Sequence, residues 1–165
     1  MTHVDMGPAI RHYQPEDLDA VVELSLRAWA PVFASLQRVL GDELFIRAHG
    51  DWREYQATAV REVLRARGMR IWVAQTGDAP VGFVAARLDT DRKIGEIAML
   101  AVDPDQQGAG TGSALTAVAT DWLRDSGMEV AMVETGGDPG HAAARRVYEK
   151  ADYTLLEIAR YFKPL

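Results

Sequence analysis

The sequence predicts one α/β domain, a mixed β-sheet of six to seven strands flanked by about four helices. Three observations carry that expectation. The chain has 165 residues, which suits a single domain spanning 1–165. Short β-type runs and helical spacings alternate along its length. A glycine-rich stretch joins an apolar run to an amphipathic helix, as a parallel crossover requires.

The elements follow in order. Ala9–Tyr13 reads as a short strand, and Pro15 suits the first turn of a helix whose apolar positions include Leu18, Val21, Val22, Ala28 and Trp29. From Pro31 to Gly50 the pattern is apolar but irregular, with Gly41 as the break. A helix is expected from Asp51 to Ala66, stopped by Gly68. Met69–Gln75 and Val81–Ala86 read as strands joined by the turn residues Thr76 to Pro80, and Gly95–Val102 reads as a central strand. Leu115, Val118, Ala119 and Trp122 share one helical face, and Gly127 ends that helix. Val130–Val133 reads as a buried strand. A helix follows with Ala144, Val147, Tyr148 and Ala151 on one face, and Tyr153–Phe162 reads as two last strands.

Composition removes several function classes. There is no cysteine, so disulfides, thiolate metal sites and a cysteine nucleophile are excluded. Acidic residues number 24 against 18 basic ones, for a net charge of -6, which argues against nucleic acid as a partner. No window approaches the roughly 18 apolar residues of a membrane span. Met1–Pro8 lacks the basic and apolar regions of a leader, so a cytoplasmic location is expected. His3, His12 and His49 have no ligand spacing and H-E-x-x-H is absent, so no metal is expected.

The most informative stretch is Gln107-Gly108-Ala109-Gly110-Thr111-Gly112-Ser113. Glycines let backbone N–H groups converge without a Cβ in the way, and a helix N-terminus adds unpaired N–H groups and a positive dipole end. Together these suit a phosphate or pyrophosphate. Ser113 and Ala114 stand where a Walker A loop would need Lys and Ser or Thr, and a dinucleotide fingerprint would need glycines that Ser113 and Leu115 replace.

Gln107 to Gly112 matches the Q/R-x-x-G-x-G/A signature, and the chain on these residues resembles the GNAT superfamily of N-acetyltransferases. A second stretch, His141 to Tyr153, is similar to that family's N-x-x-A-x-x-x-Y-x-x-x-G-F. Ala144 and Tyr148 match, while His141 replaces Asn and Asp152 replaces Gly. Asp tolerates the left-handed backbone that such a turn needs.

The resemblance implies acetyl-CoA as cosubstrate and an amine as acceptor. It implies loop amides from Gln107 to Ser113 on the pyrophosphate, and backbone groups of Leu100, Ala101 and Val102 along the pantetheine arm. His141 and Ala144 would lie beside the cofactor, and an N–H near Leu100 would meet the oxyanion. Tyr148 is the candidate general acid for the departing thiolate, although its place on an apolar stripe also suits a core tyrosine. Glu96 is the candidate base, on the expectation that a carboxylate shut among apolar residues binds its proton more tightly; a solvent-facing strand residue is the other reading. Arg145 and Arg146 suit either the 3′-phosphate or solvent. Phe33, Phe45, Trp52 and Tyr55 suit either an acceptor pocket or helix packing. Without a cysteine, direct attack in a ternary complex is favoured over a thioester relay. A homodimer is expected by family analogy, and a non-catalytic acetyl-CoA-binding regulatory module is the alternative function.

Overall fold

The computed structural model describes residues 7–165, so the leader reading of Met1–Met6 and His3 lie outside the described residues. After β1 (Ala9–His12) come α1 (Leu18–Leu40), α2 (Asp42–His49) and α3 (Trp52–Arg65). Then follow β2 (Arg70–Thr76), β3 (Ala79–Asp89), β4 (Ile94–Val102), α4 (Thr111–Asp125), β5 (Val130–Val133) and α5 (Ala142–Lys150). The sheet order is β1-β2-β3-β4-β5, antiparallel until β5, which runs parallel to β4 after the α4 crossover.

Side chains alternate across the strands, so one sheet serves two cores. Val73, Phe83, Ala85 and Ala101 pack under Val21 and Leu24 of α1 and Val60 and Leu64 of α3. Trp72, Ala74, Val84, Ala86 and Ile97 pack against Leu115, Ala119 and Leu123 of α4. Contact between α4 and β4 is so close that a Cβ on Gly95 would sit 2.4 Å from Leu123 Cδ2.

Four expectations are corrected. Among the described residues the sheet has five strands, not six to seven: residues 153–165 make no strand pairing. β5 is a half-exposed edge strand rather than a buried one, because the chain that was to cover it does not pair there. β4 is only partly buried, because its outer side loses its neighbour after Ile97. Lastly, α1 runs through Pro31 to Leu40, ended by Gly41 at φ 76°. Burial of Phe33 and Ser35 holds its second half on the body despite the hydrogen bond that proline removes.

Candidate active site

Where β4 and β5 part, backbone groups of β4 are left open. The two strands pair only from Ile94/Val130 to Ile97/Val133. On the other side, Asp103 N–H donates to Val81 O at 2.8 Å, and the register pairs Ala101 with Phe83 and Leu100 with Val84. In an antiparallel ladder hydrogen-bonded and open pairs alternate. Ala101 therefore spends its groups on β3, while Leu100 and Val102 turn theirs toward the gap. Of these, Val102 O accepts from Gln107 Nε2 at 3.1 Å. The three consecutive residues named from sequence thus do different things, because the pleat sends neighbours to opposite sides.

At the head of the gap lies the glycine loop. Asp103 Oδ1 accepts from Asp105 N–H and starts a short 3-10 turn over Pro104–Gln106. Gly108 and Gly110 sit at φ 84° and 82°, so both need glycine's freedom. Gly112 is helical, and a Cβ there would find ordinary van der Waals contact with Val147 Cγ2 at 3.5 Å and Val102 Cγ2 at 3.7 Å, so the start of α4 lies close to α5 and to the end of β4. No side chain caps α4, and no acidic residue occupies its first turn. Among the described residues, no backbone hydrogen bond outside the helices and strands uses the N–H groups of Gly108 to Ser113. Thr111 is buried and its Oγ1 has no partner. A loop of free amides, an orphaned hydroxyl and an uncapped dipole fit an anionic phosphate ligand.

Tyr148 of α5 is buried, with the Tyr153 ring 6.0 Å away and the Tyr153 hydroxyl held by Thr120 Oγ1 at 2.7 Å. Burial, with Tyr153 beside it, pushes the Tyr148 hydroxyl up to about 12. Ala144 lies one turn earlier on the same helix, half-buried. Asp152 adopts φ 63°, the left-handed turn expected of it.

Glu96 does not have the apolar environment expected for a base. Its register partner on β3 is Arg87, whose Nη2 lies 2.5 Å and Nε 2.6 Å from Glu96 Oε2. The carboxylate is an ion-pair partner on the sheet, and among the described residues no hydrogen bond or ion pair joins it to Tyr148 or the loop. Arg145 is also spent internally, donating to Gly136 O at 2.6 Å and Asp138 O at 2.8 Å. Phe33 stacks on Trp52 at 4.7 Å, with Phe45 and His49 edge-on to Phe33, so these aromatics knit α1, α2 and α3 together.

One group escaped sequence reasoning. Asp138 caps the 3-10 turn Pro139–His141 by accepting from Gly140 N–H, and it also accepts from Ser35 Oγ at 2.7 Å and binds His141 Nδ1. Burial opposes its ionisation, but hydrogen bonds from Ser35 and His141 outweigh that and hold the carboxyl below the usual range. The signal was present as Asp and His three residues apart in Asp138-Pro139-Gly140-His141; Ser35, on α1, had no sequence signal at all. Among the described residues, no cluster of three or more His, Asp or Glu is placed to hold a metal, and no helix is long and apolar enough to cross a membrane.

Comparison with known proteins agrees with this architecture. A mycothiol acetyltransferase of Sanguibacter keddieii is 30% identical over 158 residues, 92% of this chain and 45% of that protein. The chain thus spans about half the length of the curated relatives it matches. The ribosomal-protein-S18-alanine N-acetyltransferase of Escherichia coli superposes with a TM-score of 0.68 at 20% identity, covering 95% of this chain and 84% of that one. The PaiA N-acetyltransferase of Thermoplasma acidophilum, solved with coenzyme A, superposes with a TM-score of 0.63 at 16% identity, covering 88% and 89%. Residues 32–153 match the acetyltransferase (GNAT) family, and the chain belongs to that family of acyltransferases.

Proposed function

We propose that this protein transfers an acetyl group from acetyl-CoA to a primary amine by direct attack in a ternary complex. One observation carries the reading: free amides from Gly108 to Ser113 adjoin the open edge of β4. The loop and Thr111 suit the pyrophosphate, and the outward groups of Leu100 and Val102 suit the amides of the pantetheine arm. Ala101 contributes its side chain to the floor beneath and Ala144 keeps the α5 wall low.

In the reaction the amine nitrogen attacks the thioester carbon, a C–N bond forms, and the C–S bond breaks. The outward N–H of Leu100 is suited to the developing oxyanion. The leaving thiolate needs a proton, and Tyr148, whose hydroxyl stays protonated through the neutral range, is suited to donate it. The structure offers no support for Glu96 as the base, because Arg87 occupies its carboxylate. Two copies of the chain are expected to associate, which the exposed apolar side chains of the tail support.

Calorimetry with CoA and thiol release with acetyl-CoA test this together. The amine panel holds aminoglycosides, amino acids, a peptide with N-terminal alanine and the substrates of mycothiol acetyltransferases. Tyr148→Phe should lower kcat by about 100-fold with CoA affinity unchanged. No heat with CoA and no thiol released from any amine would sink the reading.

A further inference from the structure

We propose that His141 takes the proton from the acceptor ammonium, with Asp138 and Ser35 as positioning residues that fix the tautomer needed for it. The inference rests on the acetyl-transfer reading, and it offers a base other than Glu96, whose Oε2 is paired with Arg87.

An ionised carboxylate only accepts. Asp138 is held ionised by Ser35 Oγ, by Gly140 N–H at 3.0 Å and by His141 Nδ1. Nδ1 must therefore carry the hydrogen. In the neutral ring this leaves Nε2 with a lone pair and no proton. Such a nitrogen cannot donate to a carbonyl of the cofactor, as the amide of an asparagine at this position could. It can accept from an ammonium.

The ring is braced on every side that matters. Gly140 N–H also meets Ser35 Oγ at 3.0 Å, so the turn is pinned to α1 by two hydrogen bonds. A Cβ on Gly136 would fall 2.5 Å from His141 Nδ1 and 2.6 Å from Asp138 Oδ1, so the preceding chain closes over the pair. The groups that face it are Asp138 from its own turn, Ser35 from α1 and Arg145 from α5. Arg145 Nη1 donates to the carbonyls of Gly136 and Asp138. Among the described residues, Nε2 has no protein partner and is not an enclosed orphan, so this atom is open to a ligand. The turn leads directly into α5, which carries Tyr148 two turns on. One short segment thus presents a proton acceptor for the amine and a proton donor for the sulfur.

The proton balance closes. The ammonium gives one proton to Nε2 and the neutral amine attacks. Tyr148 gives one proton to the thiolate. As the C–S bond breaks, the nitrogen loses its second proton, which returns through solvent to the phenolate, and the imidazolium releases its own to solvent, so one proton leaves per turnover.

The discriminating variant is His141→Asn, which keeps an amide donor but removes the base. Expected is a loss in kcat of about 100-fold at neutral pH, with the variant folded and CoA still bound. Its rate should climb with pH toward the free amine's range near ~10 instead of levelling. Asp138→Asn and Ser35→Ala should lower kcat in the same direction with a smaller effect for Ser35. Independently of turnover, ¹⁵N spectra of the wild-type ring should show Nδ1 protonated and Nε2 bare at high pH. A His141→Asn enzyme with wild-type kcat and a level profile, or a ring protonated at Nε2, overturns the inference while leaving acetyl transfer intact. A wild-type protein that binds CoA but acetylates no amine overturns both.

Discussion

Asp17 shows how much one side chain can organise. Its two carboxylate oxygens accept from Arg11 Nη1 and Nη2 at 2.7 and 2.8 Å, and Oδ2 also accepts from Gln14 N–H at 2.8 Å. One residue thereby ties β1 to the entry of α1. The Arg11 hydrogen bonds hold its carboxyl below the ordinary value of 3.8 against the opposing effect of burial. Asp103, held by Arg27 Nη2 at 2.5 Å, is lowered for the same reason. A carboxyl lowered in the folded state contributes stability above its unfolded pKa, and that contribution disappears as the pH falls through the folded pKa. Asp17→Asn should therefore cost about 1–2 kcal/mol at pH 7. The penalty should shrink as the pH falls below 3.8. Urea unfolding at pH 7 and in acid checks this, and an equal penalty at both would count against the ion pair. Residue-scale features of this kind were partly readable. Asp152 in the left-handed turn followed from its residue type, whereas the Asp138–His141–Ser35 network needed α1 folded against the turn.

At the scale of elements, the decisive join is β4, loop and α4. Gly110 is the N-cap at φ 82°, so any side chain there strains the backbone by about 1–2 kcal/mol. Open space surrounds it, so the penalty is conformational rather than a clash. Gly110→Ala should weaken CoA binding in calorimetry more than it lowers stability, because relaxing the strain turns the Gly110 and Thr111 amides away. Gly95 presents the opposite case. Its φ is ordinary, but a methyl would run into Leu123, so Gly95→Ala should destabilise by about 1–3 kcal/mol in urea unfolding while CoA affinity changes little. Sequence reading located both ends of this join within a residue or two. It could not tell that Ala101 faces β3 while Leu100 and Val102 face the gap, since that alternation depends on which edge of β4 is paired.

Across the whole molecule, the tail stands apart from the two packed cores. Leu156 is 80% and Tyr161 91% exposed, and Leu155 and Ile158 are exposed beside them. Val130 and Met132 of the edge strand β5 are exposed as well. Apolar residues gathered in one region of a surface are the mark of an interface. Sedimentation should give a dimer for the full chain and a monomer for a chain ending at Tyr153, which retains the Tyr153–Thr120 hydrogen bond. If both sediment as monomers, self-association through the tail is wrong.

Local chemistry written in the chain was enough to determine the order of elements from α3 to α5, the glycine loop with its helix and the membership of an acyltransferase family. Turns, helix periods and loop amides depend on neighbours a few residues away, so they are legible in one dimension. Tertiary structure alone decided which groups of β4 face the gap beside β5, the capture of Glu96 by Arg87 and the bracing of His141 by Asp138 and Ser35. Each of these joins residues whose spacing along the chain carries no signal, and each is settled by which surfaces pack and which hydrogen-bonding groups are left over.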